Sequence, residues 1–274
     1  MNNLPALFLN FPKMKITIIT ICFNNQRDIR ATIESVINQS YSDIEYIIKD
    51  GGSTDGTMGI VNEYKDKIAK IISCPDRGIY DALNQGIDAA TGDVVGFIHA
   101  GDRLFAPNTI EEIAKFHSEN DVDISYGNSQ TIAENGHVVR CNYSPRKPYK
   151  LWMDFGWMPS HMSMYAKKYV YDKYGKFRLD MGVAGDYEWF LRTFYKHRAN
   201  IKIKCLDTFV LYFSLGGASS NDGLNKIQRK QREMLNACWK ANGLKPIPGL
   251  VYARLYWGAR IIMRCKFDKL FGRL

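Results

Sequence analysis

Apolar runs and amphipathic segments alternate along roughly the first 110 residues of the chain. The apolar runs are short and rich in β-branched residues, which is typical of buried parallel strands. They comprise Lys15 to Ile21, Ile44 to Lys49, Ile68 to Ser73 and Val94 to Ile98. The segments that follow repeat apolar residues at helical spacing, as in the set Tyr80, Leu83, Ile87 and Ala90. This rhythm predicts an α/β fold with a mostly parallel sheet and helices on both of its faces.

The pattern changes beyond residue 120. Short strands are predicted there, and a Glu134-Asn135-Gly136 turn is expected to join the last two of them. These strands are Asp121 to Tyr126, Ser129 to Ala133 and His137 to Asn142. A helix over Asp186 to His197 and a strand over Thr208 to Phe213 complete the predicted body, and a flexible loop is expected at residues 216–220.

The composition is that of an ordinary globular protein. The chain has 274 residues, 46% of them hydrophobic, which suffices for one large α/β domain with an appendage. Its six cysteines are scattered without a Cys-x-x-Cys pair, so neither a zinc ribbon nor a disulfide framework is predicted, and a cytosolic compartment is expected. No apolar run reaches the about 20 residues that a membrane-spanning helix needs.

The positive charge is concentrated at the C-terminal end. Residues from Leu224 onward contain twelve Lys or Arg and two acids, which accounts for the net charge of +9. Residues 250–274 form an amphipathic pattern in which Arg254, Arg260 and Arg264 share one arc of a helical wheel. Such a helix either packs on the preceding domain or lies on an anionic membrane surface, and the second interpretation is preferred. Nucleic acid is not a predicted partner, because no recognition motif accompanies the charge.

Three carboxylates follow predicted strands or loops that meet at one edge of the sheet. Asp50 ends the second strand before a Gly51 to Thr57 turn, Asp102 follows the fourth strand, and Asp186 precedes a helix. In open α/β sheets, ligands bind at the carboxyl ends of the strands. Asp102 is suited to a hard divalent cation with a diphosphate, although capping of a turn or helix also accounts for Asp102 and Asp186. Neither a Gly-x-Gly-x-x-Gly fingerprint nor a P-loop is present.

Several ordered motifs carry a more specific signal. They are Ile16 to Thr20 with Asn24, Ser35 to Tyr41, Asp50 to Thr57, Asp76 to Gly86, Ala90 to Asp102, and Gly185 to Arg192. Together they resemble the family 2 glycosyltransferases of the GT-A type, in particular the bacterial polysaccharide-assembly members of the colanic-acid-like group. The resemblance covers about residues 15–215.

The resemblance implies a GT-A fold built on a Rossmann-like sheet. It divides the chain into an N-terminal extension (residues 1–14), a catalytic domain (15–220) and a basic, amphipathic helical tail (221–274). Within the catalytic domain, residues 15–102 form the nucleotide-binding half and residues 103–220 the acceptor half.

The resemblance also implies the roles of individual residues. Asp186 is the expected general base of an inverting transfer, and Asp102 is the expected ligand of Mn²⁺ or Mg²⁺ on the donor diphosphate. The nucleotide of a UDP- or GDP-linked sugar is expected to contact Thr20, Cys22, Asn24, Asp50, Asp76, Arg77 and Asp81. For Arg77 and Asp81, a structural ion pair is an equally good interpretation.

The chain departs from the family pattern at three places. His99-Ala100-Gly101-Asp102 keeps only the last acid of the Asp-x-Asp element, Asp50-Gly51 keeps one of two acids, and Gly185 replaces a frequent Glu. His161 is interpreted as a structural histidine. The tryptophans Trp152, Trp157 and Trp189 are interpreted as core residues rather than sugar-stacking groups.

The predicted function is transfer of a hexosyl or N-acetylhexosaminyl group to a glycan or polyprenyl-linked acceptor in surface polysaccharide biosynthesis, at the cytoplasmic face of the membrane. Two alternatives stay open at this point. A sugar nucleotidyltransferase would release pyrophosphate from a nucleoside triphosphate, and a non-catalytic glycan-assembly scaffold would bind without turnover.

Overall fold

The computed structural model describes residues 13–133, 135–148, 158–214 and 236–244. Within these ranges, nine strands form one sheet. They are β1 (Ile16–Cys22), β2 (Ile44–Asp50), β3 (Lys70–Ser73), β4 (Val94–His99), β5 (Arg103–Leu104), β6 (Ile124–Ile132), β7 (Val138–Asn142), β8 (Met164–Lys167) and β9 (Ile203–Ser214). The α-helices are α1 (Ile29–Ile37), α2 (Thr57–Glu63), α3 (Ile79–Ala89), α4 (Thr109–Asn120), α5 (Lys168–Tyr174) and α6 (Gly185–Phe190).

The order of the strands is β3-β2-β1-β4-β8-β6-β9-β5, with β7 added to β6. The first four strands in this order are parallel, as predicted. Strand β8 then runs antiparallel to both β4 and β6, and β9 pairs in parallel with β6. This α/β arrangement of a GT-A-like sheet confirms the predicted fold class.

Helices cover the sheet on two sides. One buried cluster contains Leu83 and Ile87 of α3 and the aromatic residues of α6. The other contains Ile29 and Ile33 of α1, together with apolar residues of α2 and α4. Strands β1 and β4 of the parallel half are buried on both faces, which explains why their sequences are nearly continuous apolar runs.

The structure differs from the predicted elements in its second half. The predicted strands at 121–126 and 129–133 are one strand, β6, whose pairing with β9 shifts register around Asn128. The predicted helix over Asp186 to His197 is α-helical only to Phe190 and π-helical over Leu191–Lys196. Strand β8 was not predicted, because four residues give too short a pattern and its partners lie far away in sequence.

A helical segment at residues 236–241 packs on α6. The indole of Trp239 donates a hydrogen bond to Tyr187 at 3.1 Å, and the amide of Asn242 donates to Glu188 at 3.2 Å. The predicted membrane-binding residues 250–274, the loop at 216–220, Trp152 and Trp157 lie outside the described residues. Within the described ranges, no helix is long and apolar enough to cross a membrane.

Candidate active site

Strand register brings several polar residues to one edge of the sheet. Cys22 at the end of β1 lies opposite Asp50 at the end of β2, and Asp50 lies opposite Ser73 at the end of β3. On the other side of β1, His99 lies opposite Ile21. The carboxyl ends of the parallel strands therefore form one polar edge, where a ligand of an α/β sheet is expected.

The carboxylate of Asp50 is fully buried and holds the turn that follows it. It accepts hydrogen bonds from the backbone amides of Gly52 and Ser53 at 3.0 Å and from the hydroxyls of Ser53 and Ser73 at 2.5 and 2.8 Å. Burial opposes ionisation of Asp50, but these donors outweigh burial and lower its pKa. Asp50 is thus an ionised anchor of the Gly51 to Thr57 turn.

Thr20 and Cys22, which are also predicted to contact the donor nucleotide, lie in the buried strand β1 beside Asp50 and its strand. The hydroxyl of Thr20 is fully buried and pairs with the phenol of Tyr46 at 3.0 Å. The thiol of Cys22 faces Asp50 at 3.8 Å. Burial, reinforced by the charge of Asp50, raises the pKa of Cys22 to about 12, so the thiol stays protonated. Both side chains are buried, so they support the polar edge from inside the protein and do not form its solvent-exposed surface.

A buried lysine brings a second carboxylate to the edge. The ammonium of Lys49 has no solvent exposure and donates to the carbonyls of Asp50 and Cys74 at 2.6 and 2.7 Å. Its third hydrogen bond goes to the Asp76 carboxylate at 3.0 Å. A Cβ atom added to Gly51 would lie 3.0 Å from that same carboxylate. Asp76 therefore occupies the space beside Gly51, at the position where the family pattern has its second acid.

Three residues predicted to contact the donor nucleotide remain: Asn24, Arg77 and Asp81. The guanidinium of Arg77 pairs with Asp81 at 3.1 Å, and this ion pair lowers the pKa of Asp81. The Arg77 side chain is nevertheless 77% exposed, so it is accessible to a ligand as well. Asn24 is exposed at a left-handed backbone position, with φ of 50°, and its side-chain Oδ1 accepts a hydrogen bond from the backbone amide of Thr54 at 2.9 Å.

Asp102 lies in the turn between β4 and β5 and is 6% exposed. Its carboxylate accepts a hydrogen bond from the backbone amide of Ser214, at the end of β9, at 2.9 Å. Burial raises the pKa of Asp102 to about 7, although the Ser214 bond and His161 act in the opposite direction. A cation bound there would favour the charged form of this carboxyl group.

Asp186 lies in the first turn of α6. One oxygen, Oδ1, accepts hydrogen bonds from the Tyr80 phenol at 2.9 Å and the Tyr187 amide at 2.8 Å. The other oxygen, Oδ2, lies 3.5 Å from Nδ1 of His161. Burial opposes ionisation, but His161, Tyr80 and the Tyr187 amide together lower the pKa of Asp186. The group is therefore a carboxylate at neutral pH, as a general base must be.

The ring of Tyr80 explains the glycine that precedes Asp186. A Cβ atom at Gly185 would lie 2.8 Å from the Tyr80 ring. A glutamate there would displace the phenol that now contacts Asp186.

Comparison with known proteins decides the family. A family model described as glycosyl transferase family 2 matches residues 17–180. The chain belongs to glycosyl transferase family 2. The glycosyltransferase is 32% identical to an uncharacterised glycosyltransferase of Mycobacterium tuberculosis over 179 residues, which are 65% of this chain and 68% of the relative. It is 28% identical to a PGL/p-HBAD biosynthesis glycosyltransferase of Mycobacterium bovis over 60% of this chain and 63% of the relative. The match therefore spans about two thirds of each relative's length.

Solved structures show the same fold. The structure of S. aureus TarS residues 1–349 matches the glycosyltransferase with a TM-score of 0.65 at 19% identity, over 89% of this chain and 69% of that chain. The mannosyltransferase PcManGT from Pyrobaculum calidifontis, in complex with GDP-Man and Mn²⁺, matches with a TM-score of 0.62 at 17% identity, over 88% and 68% of the two chains. At these identities the likeness concerns the fold alone.

The family implies a divalent cation, and Asp102 fits one. In the part of the glycosyltransferase that the structure describes, no group of three or more His, Cys, Asp and Glu side chains is arranged to hold a metal. Asp102 thus offers a buried carboxyl group whose ionisation a cation would favour. Mg²⁺ is commonly held by one or two carboxylates together with substrate phosphates, which matches this donor set.

Sequence reasoning missed two residues of the site. The strand pattern includes Lys49 without a role, although Lys49 supports Asp76. His161, which the sequence suggested to be a structural histidine, lies between Asp186 and His99, and Nε2 of His99 lies 3.2 Å from Nε2 of His161. The signal for Lys49 is present in the sequence, because a lysine inside an apolar strand needs a buried partner.

Proposed function

We propose that this glycosyltransferase is an inverting enzyme that transfers a hexosyl or N-acetylhexosaminyl group from a UDP- or GDP-linked donor to a glycan or lipid-linked acceptor. The observation that carries the proposal is the convergence of two dissimilar carboxyl groups near His161. Asp102 is difficult to ionise without a cation, whereas Asp186 is held ionised by hydrogen-bond donors. Two titratable groups whose environments separate their pKa values are typical of an acid–base site.

Asp186 acts as the base in the proposed reaction. It takes the proton of the acceptor hydroxyl while the hydroxyl oxygen attacks the anomeric carbon from the face opposite the nucleotide. The new glycosidic bond forms as the bond to the diphosphate breaks, which inverts the configuration. A base in this position typically contributes about 10²–10⁴-fold to the rate. Mn²⁺ or Mg²⁺, held by Asp102, would supply charge stabilisation for the departing nucleoside diphosphate.

The donor nucleotide is proposed to lie along the edge formed by β1 to β3. Asn24, Asp76 and Arg77 have accessible surface there, and the ring of Phe23, which is 60% exposed, offers an apolar surface beside Gly51. Thr20, Cys22 and Asp50 support this surface from behind through the bonds described above. Asp81 orients Arg77.

The setting is proposed from the family and the charge distribution. A relative named as a PGL/p-HBAD biosynthesis glycosyltransferase supports a role in glycan or glycolipid assembly, and the finer placement in the colanic-acid-like surface polysaccharide group is part of the proposal. The basic residues from 224 onward support peripheral attachment to the anionic cytoplasmic face of the cell membrane.

The proposal is tested with a panel of UDP- and GDP-sugars, by measuring donor hydrolysis and transfer with Mn²⁺. Asp186→Asn should lower transfer about 10²–10⁴-fold while donor affinity stays within about twofold, because only the base is lost. Asp180→Asn is the matched control, since Asp180 is an exposed acid just before the same helix and pairs with Arg178. Transfer by Asp186→Asn at the rate of the control would refute the base assignment. Pyrophosphate release from a nucleoside triphosphate would instead indicate a nucleotidyltransferase.

A further inference from the structure

We propose that His99 and His161 form a hydrogen-bonded pair that positions the carboxylate of Asp186. His99 stands where the family pattern has the first acid of its Asp-x-Asp element. The proposal assigns His99 to the acceptor side of the site, through Asp186, and not to the metal. The inference rests on the proposed role of Asp186 as the base.

The sheet itself builds this pair. Strands β4 and β8 are antiparallel with Gly96 opposite Tyr165, and the same register continued beyond the last pair brings residue 99 opposite residue 162. His99 ends β4, and His161 begins the short 3-10 turn that leads into β8. The two rings lie 4.9 Å apart between centroids, with 3.2 Å between their Nε2 atoms. Their contact therefore lies at the end of β4 and just before β8, three residues beyond the last backbone pair of the two strands.

With His161 uncharged, the hydrogen bonds have one consistent direction. An ionised Asp186 only accepts hydrogen bonds, so Nδ1 of His161 must carry a proton to bond Oδ2 at 3.5 Å. A neutral His161 then has a bare Nε2, and Nε2 of His99 must donate to it. Burial lowers the pKa of His99 to about 3, so His99 is neutral with one ring proton. The chain runs from His99 to His161 to Asp186.

Among the residues that the structure describes, this arrangement leaves one lone pair of the Asp186 carboxylate without a partner. Its Oδ1 atom is held by Tyr80 and the Tyr187 amide, and its Oδ2 atom is held on one side by His161. Burial and the charge of Asp186 raise the pKa of the Tyr80 phenol, so this group also stays a donor. The side chain is 17% exposed, which leaves the second lone pair of Oδ2 for the acceptor hydroxyl. Holding a base in a reactive orientation is a known source of rate enhancement.

The kinetic test compares two substitutions at His99, one that can still form a hydrogen bond and one that cannot. His99→Leu should lower kcat about tenfold or more, since the chain to Asp186 is broken. His99→Gln retains an N–H donor near the Nε2 position and should stay within about threefold of wild type. Neither change should alter the donor KM or the Mn²⁺ concentration for half activity by more than about twofold, because the proposal gives His99 no part in metal binding.

His117→Leu is the matched control. His117 is also a buried, neutral histidine, and its ring contacts the Val122 carbonyl at 3.1 Å and the Ser125 hydroxyl at 2.9 Å. Its replacement should reduce stability without reducing kcat of the folded enzyme. A double-mutant cycle adds a second check, because His99→Leu should cost little once His161→Asn has removed the link between the rings.

Two kinetic outcomes would overturn the inference. A rise in the Mn²⁺ requirement on His99→Leu, with kcat preserved at saturation, would make His99 a metal residue. If His99→Leu lowers kcat no more than His117→Leu does, His99 is merely structural. If Asp186→Asn is inactive and His99→Leu is fully active, the inference fails and the proposed function stands.

A spectroscopic test does not depend on activity. In protein labelled with ¹⁵N-histidine, the ring nitrogen shifts should identify a neutral His161 protonated at Nδ1 and a neutral His99 protonated at Nε2. His99→Leu should then change the Nε2 shift of His161, while His117→Leu should not. A His161 protonated at Nε2 alone would refute the inference even if no donor sugar were ever turned over.

Discussion

Replacing Asp102 by Asn should stabilise the metal-free protein, and this expectation follows from the burial of the carboxyl group. Burial raises the pKa of Asp102 from 3.8 to about 7. A rise of about three in pKa corresponds to about 4 kcal/mol between the two protonation states, at about 1.36 kcal/mol for each pKa unit. Asparagine keeps the oxygen that accepts the Ser214 amide and has no charge to bury.

The sign of the pH dependence is fixed by the direction of the shift. Between about pH 4 and pH 7 the folded protein holds a proton on Asp102 that the unfolded chain has released. Wild-type stability therefore falls as pH rises through this window, and the contribution of this group is constant above it. The amide side chain of the Asp102→Asn variant does not titrate, so the difference between the two proteins should widen by about 2–3 kcal/mol from about pH 5 to about pH 8.

The assay is urea unfolding of both proteins with a chelator present, analysed as the difference between the two at each pH so that other titrating groups cancel. Mn²⁺ with UDP should then stabilise the wild type by about 2.7 kcal/mol at a hundredfold excess over the dissociation constant, and the variant much less. Parallel stability curves from about pH 5 to pH 8 would refute the reasoning. Equal stabilisation of the two proteins by Mn²⁺ with UDP would refute the metal assignment.

Four further predictions concern stability and membrane attachment. Lys49→Met should destabilise the fold by about 3–5 kcal/mol in urea unfolding, because it leaves two carbonyls and a carboxylate without their buried donor. Gly96→Ala should cost about 1–3 kcal/mol, since the new Cβ would meet the Tyr165 ring at 2.3 Å. Gly59→Ala, in a helix with open space around it, should gain about 0.5–1 kcal/mol in the same assay. Deleting residues 250–274 should reduce sedimentation with phosphatidylglycerol vesicles at low salt, and an unchanged bound fraction would contradict the membrane proposal.

The sequence predicted the parallel half of the sheet because each element there is specified locally. The strand around Ile16 and the helix around Leu83 carry their own periodicity, and their neighbours in space are their neighbours in the chain. Strand β8 has no such signal, since its identity depends on pairing with β4 and β6. The π-helical turns after Phe190 likewise follow from packing, because the sequence there is an ordinary amphipathic pattern.

The sequence predicted which residues belong to the candidate site, but not how their side chains are oriented or which of them are in contact. The ordered motifs identified Asp102 and Asp186, and their chemistry follows from the strand or helix each one joins. The orientation of Asp50 was not readable from the sequence, because a carboxylate before Gly-Gly-Ser suits either an open ligand site or a closed turn. The contact of His161 with His99 joins residues 62 apart and depends on the register of β8.

The missing second acid beside Asp50 provides a final test of how this site is built. Lys49 holds Asp76 about 3.0 Å from where a side chain of Gly51 would begin, so Gly51→Asp would bring two carboxylates together next to one cation. We expect the single change to destabilise the fold, and Gly51→Asp with Asp76→Asn to recover about 0.5–3 kcal/mol of that loss as coupling. Urea unfolding of the four proteins measures the coupling, and UDP affinity shows whether the relocated carboxylate serves the same ligand. If the changes in the free energy of unfolding are strictly additive, Asp76 does not replace the missing acid. In that case only the conformation of the turn requires glycine at position 51.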